Sequence, residues 1–327
     1  MHEATGHKSG HTPGLTWGDY LQVLVEEHGT LTQVAWKLIE HGDDVANIER
    51  ALRRLRTRGQ RDGGTWGQRL LRTFGVPQSI VARVRWLGLY HSPFSDLPLP
   101  LCLDQLRLWD RPPLVNSRAR VWLHLGFAST ALRQRRFTDA ATQLERADAL
   151  ATDADARLEA SLQGAYLASR DDTTRVAPLL ERAEALLPAI ATVEDRACFA
   201  ARLVDQRAFA LNRAQAYAAA LALYRSLPAT DLHPFASYRR DAGLAYGLWR
   251  TGDRAQAVVH ARQAISHAGD GGYLRLRAMG LLMLARVAED AEALTRAEAI
   301  AQRLDDAELR SRVARAREQP TEASGSR

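Results

Sequence analysis

The residue types that most often carry catalysis are scattered along this chain. It contains no HExxH, CxxC or nucleophile-elbow motif. The stretch GDGG at 269–272 lacks the preceding strand and the lysine of a phosphate-binding loop. Cys102 and Cys198 have no second ligand at metal spacing, and the histidines of the helical region stand singly at positions 91, 124, 233, 260 and 267. The sequence therefore predicts no catalytic site, no metal site and no cofactor, so we do not expect an enzyme.

Bulk composition predicts an all-α protein. Of the 327 residues, 46% are hydrophobic and only 7% aromatic, and alanine, leucine and arginine dominate, as in packed amphipathic helices. No apolar run reaches the length of a membrane span, and the first residues lack a signal-peptide core. These features favour a cytoplasmic location without a membrane partner. Residues 1–15 and 318–327 are expected to be flexible tails.

Positive charge is concentrated near the N-terminus. The net charge is +6, but residues 50–85 alone carry +9, with ten arginines against the single acid Asp62. The arginines are at positions 50, 53, 54, 56, 58, 61, 69, 72, 83 and 85. A concentrated basic segment favours an anionic partner more than a diffuse basic surface does.

Four short helices are predicted within residues 16–77. The stretch TWGDYLQVLVEEH begins at a Thr cap, and TLTQVAWKLIEHG begins at Thr30 or Thr32 and stops at Gly42. DDVANIERALRRLRTRG places acids at its start and arginines at its end, both favourable to the helix dipole, and WGQRLLRTFGVP follows a Gly-rich turn. The order and spacing of these helices resemble the helix-turn-helix domain of phage-repressor-type regulators, although the turn matches poorly.

That resemblance implies a nucleic-acid-binding surface. In such domains the third helix enters the major groove of double-stranded DNA, and basic residues around it neutralise phosphates. The implied DNA-facing residues are Asn47, Arg50, Arg53, Arg54 and Arg58, with Arg61 and Arg69 on phosphates. The same charges also fit a second interpretation, in which the arginines pair with the acidic remainder of the chain or with a partner protein.

Internal repeats organise the rest of the chain. In LAYGLWRTGDRAQAVVHARQAI, residues 244–265, small residues at Ala245, Ala257 and Ala264 flank a Gly-Asp turn between two apolar-periodic stretches. Equivalent small residues recur at Ala128, Gly164, Ala208, Ala245 and Ala278, with spacings of 36, 44, 37 and 33 residues. The pattern resembles the tetratricopeptide repeat, whose period is about 34 residues. It covers residues 116–317 in about five copies and implies an α-solenoid with a concave groove.

The resemblance also implies which residues line that groove. Arginine and aromatic side chains at helix A positions of repeats three to five suit a peptide or protein ligand with acidic or aromatic groups. These positions are Arg202, Asp205, Phe209, Asn212, Arg213, Arg239, Tyr246, Trp249, Arg250 and Arg275. The alternative is that the arginines only solvate a helix face.

Residues 78–115 are predicted to link the two halves. PQSIVARVRWLGLYH and LCLDQLRLWD read as helices separated by the proline-rich turn SPFSDLPLP, and the pair would cap the first repeat. The crowded ring side chains of this stretch are interpreted as core packing rather than a ligand site. They are Trp86, Tyr90, His91, Phe94 and Trp109.

Two functional hypotheses follow. In the first, the N-terminal domain binds DNA and the solenoid senses a peptide or protein, an architecture that resembles peptide-responsive bacterial regulators, which typically form homodimers. The alternative is a non-DNA-binding adaptor that assembles a protein complex. Both are binding functions, and they differ in what contacts the arginine-rich segment.

Overall fold

The computed structural model describes residues 14–58, 62–229 and 233–318, without the side chains of Arg58 and Asp171. The all-α prediction is confirmed, because these residues form helices, short 3-10 turns and loops and no strand. None of the described helices combines the length and apolar character that spanning a bilayer requires. Both predicted tails fall almost entirely outside the described residues.

The N-terminal helices occupy the predicted stretches, but the second helix ends at Lys37 rather than at Gly42, and the fifth ends at Gly88 rather than at His91. They are α1 (Trp17–His28), α2 (Leu31–Lys37), α3 (Val45–Arg58), α4 (Gly64–Phe74), α5 (Gln78–Gly88) and α6 (Leu99–Trp109). Thr16 and Thr30 both form capping boxes, with Asp19 and Gln33 respectively, so the second helix starts at the first of its two candidate caps. Pro100 lies in the first turn of α6, where a missing N–H has no helical partner to lose.

The remaining helices follow the repeat pattern. They are α7 (Arg120–Arg133), α8 (Phe137–Leu150), α9 (Ala154–Asp171), α10 (Val176–Leu186), α11 (Val193–Arg213), α12 (Tyr217–Arg225), α13 (Pro234–Arg250), α14 (Arg254–Asp270), α15 (Leu274–Ala288), α16 (Ala291–Leu304) and α17 (Ala307–Glu318). Among the described residues, 3-10 turns occur at Pro93–Asp96, Leu114–Asn116, Thr173–Arg175 and Leu187–Ala189.

The chain divides into two compact units. Unit 1 comprises the described part of Met1–Ala82 together with Asp104–Arg120, and unit 2 comprises Arg83–Leu103 with the described part of Val121–Arg327. Residues 78–115, predicted to be a linker, are thus shared between the units. The division falls inside α5 and α6, and the turn between these helices belongs to unit 2 with the repeats.

An aromatic pair lies in the core of unit 1. Trp17 and Tyr20 of α1 are buried and meet edge to face. Gly63 has a positive φ of 76°, and a Cβ there would lie 2.2 Å from the Trp17 ring. Glycine is therefore required at this turn both for its backbone conformation and for its close approach to Trp17. The result fixes the start of α4 against α1.

Unit 2 stacks helices in pairs. From α9 to α17 each helix packs on the next, and α9, α11, α13, α15 and α17 also pack on one another in order. The small residues that marked the predicted frames at Ala128, Ala208, Ala245 and Ala278 are fully buried. In the same unit a Cβ on Gly243 would lie 2.1 Å from the Tyr224 ring, so α13 approaches α12 closely. We call α7, α9, α11, α13 and α15 the A helices.

Candidate functional site

The first candidate surface is the solvent face of α3 in unit 1. Ile48, Leu52 and Leu55 are buried. On the opposite side Asn47, Arg50, Arg53 and Arg54 are all exposed, at spacings that place them on neighbouring positions of the helix surface. Helical amphipathicity, read from the sequence, therefore located this face correctly.

The arginines of this face have few acidic partners. Arg53 pairs with Glu49 one turn earlier, and Arg50 donates to the Asn47 side chain. The Arg54 side chain has no hydrogen-bond or ion-pair partner among the described residues. Exposed guanidiniums of this kind suit an external anion. The structure describes no side chain for Arg58, and Arg61 lies outside the described residues.

Arg69 does not fit its predicted role as a phosphate contact. Its side chain is buried, donates to the Leu38 carbonyl and to Asp43, and lies 3.3 Å from the Glu40 carboxylate. The hydrogen bond from Arg69 lowers the pKa of Asp43. Arg69 therefore ties α4 to the loop that follows α2, and its charge is already matched inside unit 1.

The loop between α2 and α3 departs from the helix-turn-helix pattern. It runs from residue 38 to residue 44, whereas the turn of a helix-turn-helix motif is typically 3–4 residues long. Trp36 at the end of α2 is 62% exposed, and Ile39 in the loop is also exposed. Contiguous apolar patches in the open mark interaction surfaces, whereas single exposed apolar side chains are common.

The second candidate site lies inside unit 2, where the A helices surround residues 89–97, which we call the inner segment. The Tyr90 hydroxyl accepts hydrogen bonds from Arg239 at 3.1 Å and from Arg275 at 2.9 Å. The Arg202 guanidinium lies 4.8 Å from the centre of the Tyr90 ring. Three arginines from three successive A helices thus converge on one side chain.

The main chain of the inner segment is held as well. Arg133 donates to the carbonyls of Ser95 and Leu97 at 2.7 and 3.0 Å. The Tyr273 hydroxyl donates to the His91 carbonyl at 2.8 Å. The Asp96 carboxylate accepts from the Arg275 amide at 3.0 Å. The A helices, together with Tyr273 just before α15, therefore hold the main chain of a segment that includes the 3-10 turn Pro93–Asp96.

Buried carboxylates balance these arginines. Arg202 donates to both oxygens of Glu159, at 2.5 and 2.8 Å. Arg239 donates to Asp205 at 2.8 Å. Burial would raise the pKa of Glu159, but the Arg202 guanidinium outweighs it and lowers the pKa. Because these charges are matched bidentately or through hydrogen bonds, they tolerate the interior of the unit.

Asp306 balances two more arginines. Arg133 and Arg275 each donate to the same Asp306 oxygen at 2.8 Å, and the other oxygen accepts from the Leu309 amide at the start of α17. Burial opposes ionisation, but the two guanidiniums lower the Asp306 pKa to about 2. Since Arg133 belongs to α7 and Arg275 to α15, Asp306 joins the first and last A helices of the unit.

The predicted groove residues therefore separate into two groups. Arg202, Arg239 and Arg275 are buried, and Asp205 is half-buried, all engaged with the inner segment or with internal ion pairs. The prediction that these four residues line a ligand-binding surface is corrected, because other parts of the same chain already contact them. The other six are at least partly accessible: Phe209, Asn212, Arg213, Tyr246, Trp249 and Arg250.

Sequence reasoning missed Arg133, Glu159, Asp306 and the placement of the inner segment. In the sequence, Glu159 and Asp306 look like ordinary acids of helical repeats. The one usable signal was the crowding of Tyr90, His91 and Phe94, which was interpreted as core packing. The structure agrees, since His91 and Phe94 are buried and His91 meets Phe199 edge to face.

We expect Tyr90→Phe to destabilise the protein by about 2–3 kcal/mol, since two buried guanidiniums lose an acceptor while the ring keeps its packing. The unfolding midpoint in urea measures this effect. Tyr166→Phe is the matched control, because the Tyr166 hydroxyl accepts from Arg170 at the surface. Equal midpoints for the two variants would contradict the role assigned to the Tyr90 hydroxyl.

We expect Asp96 to make stability depend on pH near 6. The Asp96 carboxyl is buried, and burial raises its pKa to about 6 despite Arg275 and Arg133. Since this folded pKa exceeds the unfolded one, the contribution is complete below about pH 4 and is lost as pH rises through 6, by about 2–3 kcal/mol. Asp96→Asn keeps the acceptor for Arg275 and removes the titration.

Unfolding midpoints between pH 4.5 and 7.5 test this expectation. The Asp96→Asn variant should gain stability relative to the wild type as pH rises, while Asp139→Asn, at an exposed position, should not. Parallel pH curves for Asp96→Asn and wild type would exclude a raised Asp96 pKa.

Comparison of the chain with protein-family models, with curated proteins and with solved structures gives no match.

Proposed function

We propose that this protein is a binding scaffold of helical repeats that holds a peptide or protein segment, and that it regulates transcription by coupling ligand binding in unit 2 to DNA binding by unit 1. The observation that carries the proposal is the way the A helices hold the inner segment. Arginine and tyrosine side chains donate to its carbonyls, and three guanidiniums surround its tyrosine. Hydrogen bonds to the main chain give affinity in peptide recognition, so a surface of this kind is suited to peptides.

The ligand surface in this proposal is the accessible part of the predicted groove. Phe209 and Arg250 are exposed, and Trp249 is half-buried beside Arg250. Planar side chains of these types supply much of the energy in protein interfaces. The deeper part is filled by the inner segment, so a ligand binds beside that segment or competes with it.

The DNA-binding part of the proposal relies on α3. Its exposed face combines Asn47 with Arg50, Arg53 and Arg54, the residue types that contact bases and phosphates in the major groove. Ligand binding to unit 2 would then favour one DNA-binding state over another. The proposal places the protein in the cytoplasm, as a homodimer on its DNA site, and assigns it no catalytic role.

Fluorescence anisotropy of labelled genomic duplex fragments at low salt tests the proposal. Binding should be salt-dependent and should change when a peptide ligand is added. Absence of duplex binding at about 50 mM salt, where phosphate contacts are much stronger than at about 200 mM, would remove the regulatory part.

A second candidate is an adaptor that binds proteins at both units, and the exposure of Trp36 and Ile39 favours it. In this case the protein should recover a stoichiometric partner that is lost with Trp249→Ala and Arg250→Ala together. Loss of the partner with Trp36→Ala as well would favour the adaptor over the regulator. Retention of the partner in the first variant would exclude the groove.

A further inference from the structure

Four arginines form an open cluster on α13, α15 and α17. We call Arg250, Arg286, Arg312 and Arg315 the arginine cluster. Arg250 and Arg286 lie at the C-terminal ends of α13 and α15, and both are exposed, as is Arg315. Arg286, Arg312 and Arg315 were not among the predicted groove residues.

Two guanidiniums of the cluster lie close to aromatic rings. Arg250 lies 4.2 Å from the centre of the Tyr217 ring and 5.3 Å from that of Trp249. Arg286 lies 5.6 Å from the Trp249 ring centre. The Tyr246 ring meets both Tyr217 and Trp249. Arg250 also donates to the Tyr217 hydroxyl, so contacts with these rings restrain its side chain.

Few carboxylates pair with the arginine cluster. Among the described residues, Arg250, Arg286 and Arg315 have no carboxylate within ion-pair distance, and Arg312 shares Glu308 with Arg135 and Arg170. Partial burial lowers the pKa of Arg286, and the nearby Arg250, Arg315 and Arg312 lower it further. Like charges held together repel one another, so an anion that bridges them would be bound favourably.

The geometry favours a peptide over a nucleic acid. Guanidiniums already lie close to the Trp249 and Tyr217 rings, so a stacking base would compete with them for those rings. The arginines come from three stacked helices, whose axes are typically about 8–10 Å apart, so the cluster is longer than one phosphate. In an extended peptide, side chains on one face recur about every 7 Å and can follow such a row.

We propose that the arginine cluster binds the carboxylates of an acidic peptide segment in extended conformation. This inference rests on the proposed function, because it names the class of ligand for the accessible part of the groove. Each carboxylate receives paired N–H donors from a guanidinium, and Trp249 lies beneath the two arginines that contact it.

The probe is a fluorescein-labelled peptide of nine residues that alternates glycine and glutamate, with a glutamine version as its control. Anisotropy at about 50 mM salt should detect binding of the glutamate peptide only, weakening as salt rises. Arg250→Gln with Arg286→Gln should weaken binding at least about tenfold, the loss of roughly one charged contact. Arg262→Gln with Arg296→Gln, at exposed positions of α14 and α16, should leave it unchanged.

Three results would overturn the inference. Equal binding by both double variants would exclude the cluster as the site. If a single-stranded oligonucleotide of nine nucleotides bound more tightly than the glutamate peptide, and Arg250→Gln with Arg286→Gln abolished that binding, the site would be a nucleic-acid surface. Concentration-dependent self-association that the substitutions abolish would make the occupant a second copy of this chain.

A second probe separates this inference from the proposed function. It is the peptide LYHSPFSDL, which copies the inner segment. If it binds and the glutamate peptide does not, the scaffold function stands and the acidic ligand is excluded. If neither peptide binds a correctly folded protein, as judged by circular dichroism, the peptide-binding function itself fails.

Discussion

Asp306→Ala is expected to destabilise the protein by about 3–5 kcal/mol, the range for removing one partner of a buried ion pair. The carboxylate is fully buried, and its loss leaves Arg133 and Arg275 without their shared acceptor. It also removes the acceptor for the Leu309 amide at the start of α17. The unfolding midpoint in urea measures the effect, and circular dichroism at the start of the titration checks that the variant folds.

The neighbouring residue supplies the control. Asp305 pairs with Arg310 at the surface and adopts a left-handed conformation that asparagine also tolerates. Asp305→Asn should therefore change stability by less than about 1 kcal/mol, as expected for an exposed pair. If Asp306→Ala and Asp305→Asn lost similar amounts of stability, the buried Asp306 carboxylate would not be what joins α7 to α15.

Asp306 also predicts how the stability of the protein changes at acidic pH. Its folded pKa of about 2 lies below the unfolded value, so its contribution is complete above about pH 4 and is lost as pH falls towards 2. Glu159, whose pKa is also lowered, acts in the same direction. The Asp306→Asn variant should therefore lose less stability than the wild type as pH falls from about 4 to 2. The effect of Asp96, in contrast, occurs as pH rises through about 6.

Local patterns predicted the helices well because the forces that define them act within a few residues. A threonine followed three residues later by Asp19 or Gln33 forms a capping box without help from the rest of the fold. Alanine at the frame positions, such as Ala245, marks where two helices approach closely, and burial confirmed it. These signals required no knowledge of partners distant in sequence.

The buried arginines could not be predicted in the same way. Arg202 meets Glu159 across 43 positions, and Arg275 meets Asp306 across 31, so neither helix pattern indicates the pairing. Without its partner in view, an arginine on a helix reads as a solvated or ligand-binding residue. The same reason explains Arg69, whose acceptors lie 26 and 31 positions earlier.

The position of the inner segment was equally inaccessible from the sequence. Tyr90 was predicted to lie in the last turn of a helix and Asp96 in the proline-rich turn that follows it, and neither pattern indicates a contact with a distant part of the chain. Their contacts with Arg239 and Arg275 span more than 140 positions. A repeat pattern predicts that an inner face exists, but it does not predict that another part of the same chain fills it.

Reversing two charges on α3 is expected to weaken duplex DNA binding about 100-fold at low salt. Arg53→Glu with Arg54→Glu replaces two exposed cations by anions that repel phosphates. Each lost phosphate contact should also reduce the slope of log affinity against log salt by about 0.9, so the double variant should show a slope smaller by about 2. Anisotropy titrations of one duplex at several salt concentrations give both quantities.

The matched control carries the same change of charge elsewhere. Arg262→Glu with Arg296→Glu alters exposed arginines of α14 and α16 in unit 2 and should retain most of the affinity and the wild-type slope. Equal losses of DNA affinity in both variants would mean that binding depends only on the net charge of the protein. Because Arg53 and Arg54 are exposed and distant from the core of α3, unchanged unfolding midpoints should accompany the loss of binding. Full DNA affinity in the α3 variant would instead assign this face to a protein partner. The exposed Trp36, nearby in sequence, favours that alternative.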